Sequence, residues 1–245
     1  TYVINGFELP GARLFKGNGI PNTPMGTFPV QSGTAAYSYY SALPGGTNPA
    51  TKVTYSSAAA IGIGPYNLES KIPLNPVVSG TYPLNSLIVG ITLTGAVWHL
   101  EKAPDSSGNL YNPINALPTD QCFGHPYYQQ YHYHAYSWKC FPNQGTTGQS
   151  PVFGFALDGF PITGPRAADS HMLTNAELDE CHGTTSPITM PDGTVKTTYH
   201  YVLNREYPYS VGCFRGKVNY VQALGPGLVN TGMKEGVTYL DIAQP

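Results

Sequence analysis

The sequence predicts a mainly β protein, with two packed antiparallel β units in a sandwich-like arrangement, many Gly/Pro loops and one or two short helices. The 245 residues include 28 Gly and 23 Pro, which favour turns over long helices. Nineteen Tyr and several β-branched runs favour strands. Thr174–Glu177, Thr-Asn-Ala-Glu, has the pattern of a capping box and is the one good helix start, so we expect a short helix within residues 172–181.

The clearest strands lie in the middle of the chain. Residues 87–100 are too rich in Gly and β-branched side chains for a helix, and we expect a buried strand pair with a turn near Thr94 and Gly95. Residues 152–157 and 160–162 flank Asp158-Gly159, a dipeptide that favours a two-residue hairpin of type I′. These stretches therefore predict hairpins in the core.

Further strands are predicted towards both ends. Residues 1–10 are predicted as a short strand, residues 51–63 are strand-like at their start, and residues 194–203 alternate Tyr with His and Val. Residues 237–243 are predicted as the last strand. The pattern thus remains one of short strands throughout.

Residues 122–140 concentrate the chemistry of the chain, with three of its seven His between two Cys. If residues 131–134, Tyr-His-Tyr-His, form a strand, side chains two apart share a face. His132 and His134 then point one way, and Tyr131 and Tyr133 point the other. The pattern places two imidazoles side by side.

Two interpretations of these histidines follow. In the first, His132, His134 and His200, together with His125 or His99, bind a copper or zinc ion. In the second, they are part of a buried aromatic cluster in which each ring donates to a carbonyl or a Tyr hydroxyl. The sequence leaves both interpretations open.

Three further residues are candidates for supporting roles. Asp158 either orients a histidine, acts as an acid or base, or shapes the turn before Gly159, and the turn is favoured. Tyr131 and Tyr133 flank the candidate ligands and are assigned to the surroundings of the site or to packing. No residue is assigned as catalytic.

The four cysteines fit two disulfides and an oxidising compartment. Three pairings are possible. We favour Cys122–Cys140 and Cys181–Cys213, because each pair would bracket one aromatic and His-rich segment. The chain starts at Thr1 rather than Met, which is typical of a processed product. The expected location is therefore extracellular.

Charge and hydropathy exclude two classes of partner. The net charge of −2 argues against nucleic acid, whose binding needs a basic face. The longest apolar run is interrupted by glycine and falls short of the roughly 20 residues that cross a bilayer. We therefore expect no nucleic-acid partner and no transmembrane segment.

Several motifs resemble the YHYH domain family. They are Gly124-His-Pro126, Tyr131-His-Tyr-His134, the Gly-rich stretch 154–164, the segment 178–183, and Tyr199-His-Tyr with the Tyr-Pro-Tyr and Gly-Cys-Phe-Arg-Gly that follow within 207–216. The resemblance implies a secreted or surface protein, often with disulfides, and assigns no reaction. The chain departs from the pattern at position 202, which is Val and not a fourth imidazole.

The resemblance also suggests a domain division. Residues 1–105 would form an N-terminal β region, and residues 106–245 a YHYH domain core with a C-terminal strand. One continuous domain, 1–245, is the alternative.

Two function classes follow from these observations. The first is an extracellular structural or binding protein that self-assembles into an oligomer or filament, with copies of itself as its partner. Residues 1–10, which are apolar for a terminus, would dock on a neighbouring subunit as an added strand or fold back on their own chain. The alternative is a secreted enzyme that depends on copper or zinc, oxidative or hydrolytic. Low charge and abundant Tyr, Gly and Pro favour the first.

Overall fold

The computed structural model describes residues 11–29, 62–84, 86–100, 119–137, 140–141 and 146–218, and the backbone of six short strands outside these ranges. Within this part of the chain, regular structure consists of strands and a single 3-10 turn, which confirms the predicted mainly β class. The described residues include no helix long and apolar enough to cross a membrane.

The strands are short, and most lie in two sheets. In chain order they are β1 (Tyr2–Ile4), β2 (Phe7–Leu9), β3 (Ala12–Gly17), β4 (Leu68–Pro73), β5 (Ile88–Thr92), β6 (Val97–His99), β7 (Ala103–Pro104), β8 (Leu110–Tyr111), β9 (Gly124–Tyr127), β10 (Gln130–Tyr133), β11 (Val152–Ala156), β12 (Pro161–Thr163), β13 (Gly183–Thr189), β14 (Val195–Val202), β15 (Gln222–Ala223) and β16 (Val229–Asn230).

The central sheet has eight strands in the order β13-β14-β12-β11-β5-β6-β10-β9. Two of its pairs, β6 with β10 and β12 with β14, are parallel. The sheet is therefore mixed, whereas the prediction was of antiparallel units, and its other pairs are antiparallel as predicted. Each parallel pair is separated in sequence by a long connection that lets the second strand enter in the same direction. The sheet also contains strands from both sides of residue 105.

A second sheet, β16-β15-β4-β3, packs on the central sheet and is antiparallel. The rings of Phe15 on β3 and Phe155 on β11 lie 6.0 Å apart, and the Arg13 guanidinium lies 3.7 Å from the centre of the Phe155 ring. Leu68 and Ile72 of β4 belong to the same buried cluster as β5 and β11. The two sheets thus share one core, as a sandwich does.

Both central hairpins turn on a glycine. The pair predicted within residues 87–100 forms β5 and β6, and Gly95 between them has φ +104°. In the hairpin of β11 and β12, Gly159 donates its N–H to the Ala156 carbonyl at 2.9 Å and has φ +94°. Asp158 does not have positive φ, so the predicted type I′ turn, which needs it at both central positions, is wrong.

The predicted helix is a single 3-10 turn, Asn175–Glu177. Thr174 begins it as expected, since its N–H and hydroxyl both donate to the Glu177 carboxylate. The turn ends at Leu178, whose backbone is extended. Asp179 then accepts the N–H groups of Cys181 and Gly183, and this local bonding replaces helical bonding.

Residues 2–9 form a hairpin, β1 with β2, where a single strand was expected. This hairpin pairs with no other strand in the described part of the chain. The strands expected near residues 51–61 and 237–243 lie outside the described residues. The disulfides are Cys122–Cys140 and Cys181–Cys213, which are the pairs that the sequence favoured.

Candidate metal centre

Four histidines meet at one end of the central sheet. His99 ends β6, His125 lies on the edge strand β9, His132 lies on β10, and His134 follows β10 directly. Because β10 lies between β6 and β9, these strands bring residues distant in sequence side by side. The register pairs His132 directly with His125. His132 and His134 share one face of the chain, as the alternation of a strand predicted.

The ring nitrogens of three of these histidines converge. His132 Nε2 lies 3.0 Å from His134 Nε2, and His125 Nε2 lies 3.1 Å from the same atom. The rings stand nearly perpendicular, at 81° between His132 and His134 and 85° between His125 and His134. His134 therefore lies at the centre of the group.

In both His132 and His134, the second ring nitrogen, Nδ1, faces a main-chain carbonyl. His134 Nδ1 lies 2.7 Å from the Leu100 oxygen, and His132 Nδ1 lies 3.2 Å from the Gln130 oxygen. A carbonyl only accepts, so each Nδ1 carries the proton that is donated. In a neutral ring, Nε2 then carries a lone pair and no proton.

Two lone pairs that face each other at 3.0 Å are unfavourable unless a cation or a proton lies between them. Two nitrogens bound to one metal ion at about 2.05 Å lie about 3.0–3.4 Å apart, for bond angles between about 95° and tetrahedral. The separation of His132 and His134 falls at the lower end of this range. Their geometry thus suits a shared metal ion.

His99 completes the group from the other side. Its ring stacks on His132, with centroids 3.6 Å apart, and its Nε2 donates to the Gln130 side-chain oxygen at 3.0 Å. One ligand atom from each of His99, His132 and His134 lies within 4.8 Å of the others.

Burial keeps three of these rings, those of His99, His132 and His134, uncharged. His99, His125, His132 and His134 are each at most 4% exposed. Desolvation, with the neighbouring His134, lowers the pKa of His99 to about 3. Desolvation lowers the pKa of His134 to about 4 and that of His132 well below its ordinary value. Neutral imidazole is the form that binds metals, so the site keeps its ligands ready near neutral pH.

His200 does not join this group, which corrects the prediction that it converges with His132 and His134. It lies on β14, and five strand spacings separate β14 from β10, a distance of about 24 Å. Its ring bonds instead to the hydroxyls of Thr163 and Ser186, both at 2.9 Å. The second Tyr-His-Tyr motif thus belongs to a different part of the sheet.

The residues assigned to the surroundings of the site lie elsewhere. The Tyr131 hydroxyl donates to Asp120 at 2.8 Å, and the Tyr133 hydroxyl bonds to Thr23 at 3.0 Å. Asp158 lies in its turn, where its carboxylate accepts the Tyr201 hydroxyl at 2.6 Å.

Burial raises the pKa of Asp158 to about 6, against the effect of its hydrogen bonds. It also accepts the N–H groups of Phe160, Arg215 and Gly216. Asp158 is therefore part of a structural network around Tyr201.

Gln130 is the orienting residue that the sequence did not indicate. Its side chain holds His99 and its carbonyl holds His132. Alternation along β10 identifies His132 and His134, but nothing in the sequence shows that β6 returns beside β10. For this reason the sequence identified His99 only as an alternative metal ligand.

These observations define a disulfide-containing β-sheet protein with a buried cluster of neutral histidines. The YHYH protein family model matches residues 69–172, which confirms the resemblance and includes all four histidines of the cluster. The motifs at 178–183 and 199–216 lie beyond the matched residues. No curated protein and no solved structure is significantly similar to this chain.

Proposed function

We propose that this protein binds a single copper or zinc ion at His132 and His134, with His125 and His99 as the further ligands. The observation that carries the proposal is the 3.0 Å separation of two Nε2 atoms whose rings both donate Nδ1–H to carbonyls. A cation between these atoms removes the repulsion of their lone pairs. If the histidines were only packed in the core with their hydrogen bonds satisfied, no proton would lie between the Nε2 atoms of His132 and His134.

The chemistry of the ligand set favours copper or zinc. The close group contains histidine only, and imidazole suits these two ions. The four cysteines are joined in disulfides, so no thiolate competes. The same disulfides favour a protein that works outside the reducing cytosol, in an extracellular setting.

Burial favours a site that holds its ion over one that turns over a large substrate. A hydrolytic centre needs an open ligand position reached by substrate, while these four rings are at most 4% exposed. We therefore assign the ion a binding or stabilising role. A secreted metal-dependent enzyme is the alternative, and it requires a conformation that opens the cluster.

The test is metal stoichiometry in matched variants. The purified protein is stripped with a chelator, reloaded with Zn²⁺ or Cu²⁺, dialysed and analysed by mass spectrometry for metal content. We expect one ion per chain in the wild type and in His200→Gln, a buried histidine outside the cluster, and none in His134→Gln. Equal metal content in all three proteins, or none in the wild type, would contradict the proposal.

Self-assembly is the second candidate, and the hairpin β1–β2 favours it. A two-stranded sheet is marginal by itself in water, and this one has no partner strand in the described part of the chain. We propose that it adds to the sheet edge of a second copy. Deletion of residues 1–10 should abolish oligomers seen by light scattering while the body stays folded. Unchanged assembly, or a monomeric intact protein at high concentration, refutes it.

A further inference from the structure

The central sheet has the same connectivity in both of its halves. In one half, the hairpin β5–β6 is followed by the hairpin β9–β10, and β10 lies parallel beside β6. In the other half, β11–β12 is followed by β13–β14, and β14 lies parallel beside β12. The two halves meet where β5 pairs with β11. The strand order is therefore equivalent when counted from either edge.

The residue register is repeated as well. In β5–β6, Ile88 faces His99 and Gly90 faces Trp98, with a bulge between them. In β11–β12, Val152 faces Thr163 and Gly154 faces Ile162, with a bulge at the same place. Across the junction, Gly154 pairs with Thr92 and Gly90 with Ala156, as a two-fold axis requires. His99 and Thr163 are thus equivalent positions.

The second hairpins match in detail. A Cβ on Gly124 would meet the Tyr131 hydroxyl and the His132 carbonyl, and a Cβ on Gly183 would meet the Tyr199 hydroxyl and the His200 carbonyl. The residues before these glycines, Phe123 and His182, both have positive φ.

The carboxylates that precede these glycines also match. Asp120 accepts the Tyr131 hydroxyl and two N–H groups of its own loop. Asp179 accepts the Tyr199 hydroxyl and the two equivalent N–H groups. Both halves therefore contain the same unusual loop, which indicates a repeated unit and not a chance similarity of fold.

The sequence carries the same repeat in three motifs, in the same order. Asp-x-Cys-x-Gly occurs at 120–124 and 179–183, Tyr-His-Tyr at 131–133 and 199–201, and Tyr-Ser-x-x-Cys-Phe at 136–141 and 209–214. The two cysteines of each set are joined to each other, as Cys122–Cys140 and Cys181–Cys213. The repeated residues are therefore those that build each half.

We propose that residues 86–141 and 150–214 are two copies of one unit, and that the pocket around His200 is a lapsed counterpart of the histidine cluster. In the second copy, the position equivalent to His132 is His200. The positions equivalent to His99, His125 and His134 are Thr163, Thr184 and Val202. The proposal rests on the proposed function for the metal that the first copy binds. It assigns one ion to the chain, and a latent second site to the second copy.

The chemistry of the second pocket explains why its histidine needs no ion. The Thr163 hydroxyl donates to the Tyr201 carbonyl, so it accepts the Nδ1–H of His200. The Nε2 of His200 then accepts the Ser186 hydroxyl at 2.9 Å. Both ring nitrogens are satisfied by hydroxyls, in contrast to the facing lone pairs of His132 and His134. In the second pocket, these hydrogen bonds stand where the first pocket would hold a metal ion.

The first experiment restores the missing ligands. The variant Thr163→His/Thr184→His/Val202→His is expected to bind two ions per chain, where the wild type binds one. A folded variant that still binds one ion overturns the proposal. If the wild type itself binds none, the proposed function fails, and the second experiment decides the inference by itself.

The second experiment is free of metal. The variant His99→Thr/His125→Thr/His134→Val gives the first copy the residues that the second copy has at these three positions and should stay folded, because Thr at position 99 can hold His132 as Thr163 holds His200. The control His99→Val/His125→Thr/His134→Thr has the same composition with two residues exchanged. We expect the first variant to have the higher midpoint of thermal unfolding by circular dichroism, with chelator present. Equal midpoints, or the reverse order, overturn the equivalence of the two pockets.

Discussion

His132 on β10 and His134 directly after this strand lie on the same face of the chain with their Nε2 atoms 3.0 Å apart, while the Nδ1 of each ring is turned to a main-chain carbonyl. This relationship fixes the tautomer of both rings and directs two lone pairs at one point. Outer partners of this kind orient the ligands of metal sites.

Metal binding should stabilise the folded chain. An ion that binds only the folded state at 100 times its dissociation constant raises the free energy of unfolding by about 2.7 kcal/mol. For a chain of this size we expect the midpoint of thermal unfolding to rise by about 5–10 °C. Scanning calorimetry with Zn²⁺ or with chelator measures the shift. A shift of the same size in His134→Gln would place the ion elsewhere.

Gln130→Leu should weaken metal binding without removing a ligand. The substitution deletes the acceptor that holds His99 Nε2–H, so the ring loses its fixed orientation. Loss of such an outer partner typically lowers metal affinity 10–100-fold. Isothermal titration calorimetry gives the dissociation constant.

Ser186→Ala is the matched control for Gln130→Leu. It removes a comparable hydrogen bond from His200, outside the cluster, and should leave the affinity for the ion unchanged. If both variants bind the ion as the wild type does, His99 takes no part in binding.

The metal-free protein should lose stability as the pH falls below 6.5. The pKa of His99 is lowered to about 3, and those of His134 and His200 to about 4, so the unfolded chain binds protons that the folded chain refuses. Each such histidine costs about 1.4 kcal/mol per pH unit between about 6.5 and its folded pKa.

Asp158 opposes this trend, since its pKa is raised to about 6 and its protonation favours the folded state as the pH falls from there towards 3.8. The histidines outnumber it, so we expect a net loss between pH 6.5 and pH 5. Urea unfolding at pH 7 and pH 5.5 measures the difference. The His200→Gln variant should show a shallower dependence, and a flat profile in the wild type would contradict the buried, neutral histidines.

Gly124→Ala and Gly183→Ala should destabilise the chain to a similar extent. The new Cβ would lie 2.8 Å from a main-chain oxygen in both cases, and 2.3 or 2.1 Å from a Tyr hydroxyl. Such overpacking costs about 1–3 kcal/mol or more. Gly80→Ala, where the nearest atom lies 3.4 Å away, is the control and should be close to neutral. A large difference between the first two variants, measured by chemical denaturation, would weaken the equivalence of the two hairpins.

Part of this architecture could be predicted from local rules. Turn residues and β-branched runs placed β5, β6, β11, β12 and β14 close to their observed bounds, because these signals act over a few residues. The predicted short helix is present only as one 3-10 turn, because Asp179 supplies side-chain bonds that compete with helical ones. The hairpin at Asp158 had the right position and the wrong turn type, since the Asp158 carboxylate accepts the Tyr201 hydroxyl from β14, the strand next to β12.

The repeat is one feature that the sequence contains beyond its local secondary-structure patterns. Tyr-Ser-x-x-Cys-Phe and Asp-x-Cys-x-Gly each occur twice in the same order, and their spacing alone would have identified two copies. That identification would also have placed His200 opposite His132 in the other half. It would also have placed the two Tyr-His-Tyr motifs in different halves of the sheet, although their shared chemistry had suggested that they were neighbours.

The sequence by itself determined that the chain is built from short strands, that His132 and His134 share a face, and which cysteines bracket the two aromatic segments. These properties depend on the two-residue period of a strand and on residues near each other in the chain. Only the tertiary structure decided that His99 and His125 join them and that His200 does not. Strand order is set by the burial of whole faces in a common core, which no single segment encodes, and it brought β6 and β9 to either side of β10 and left β14 five strands away.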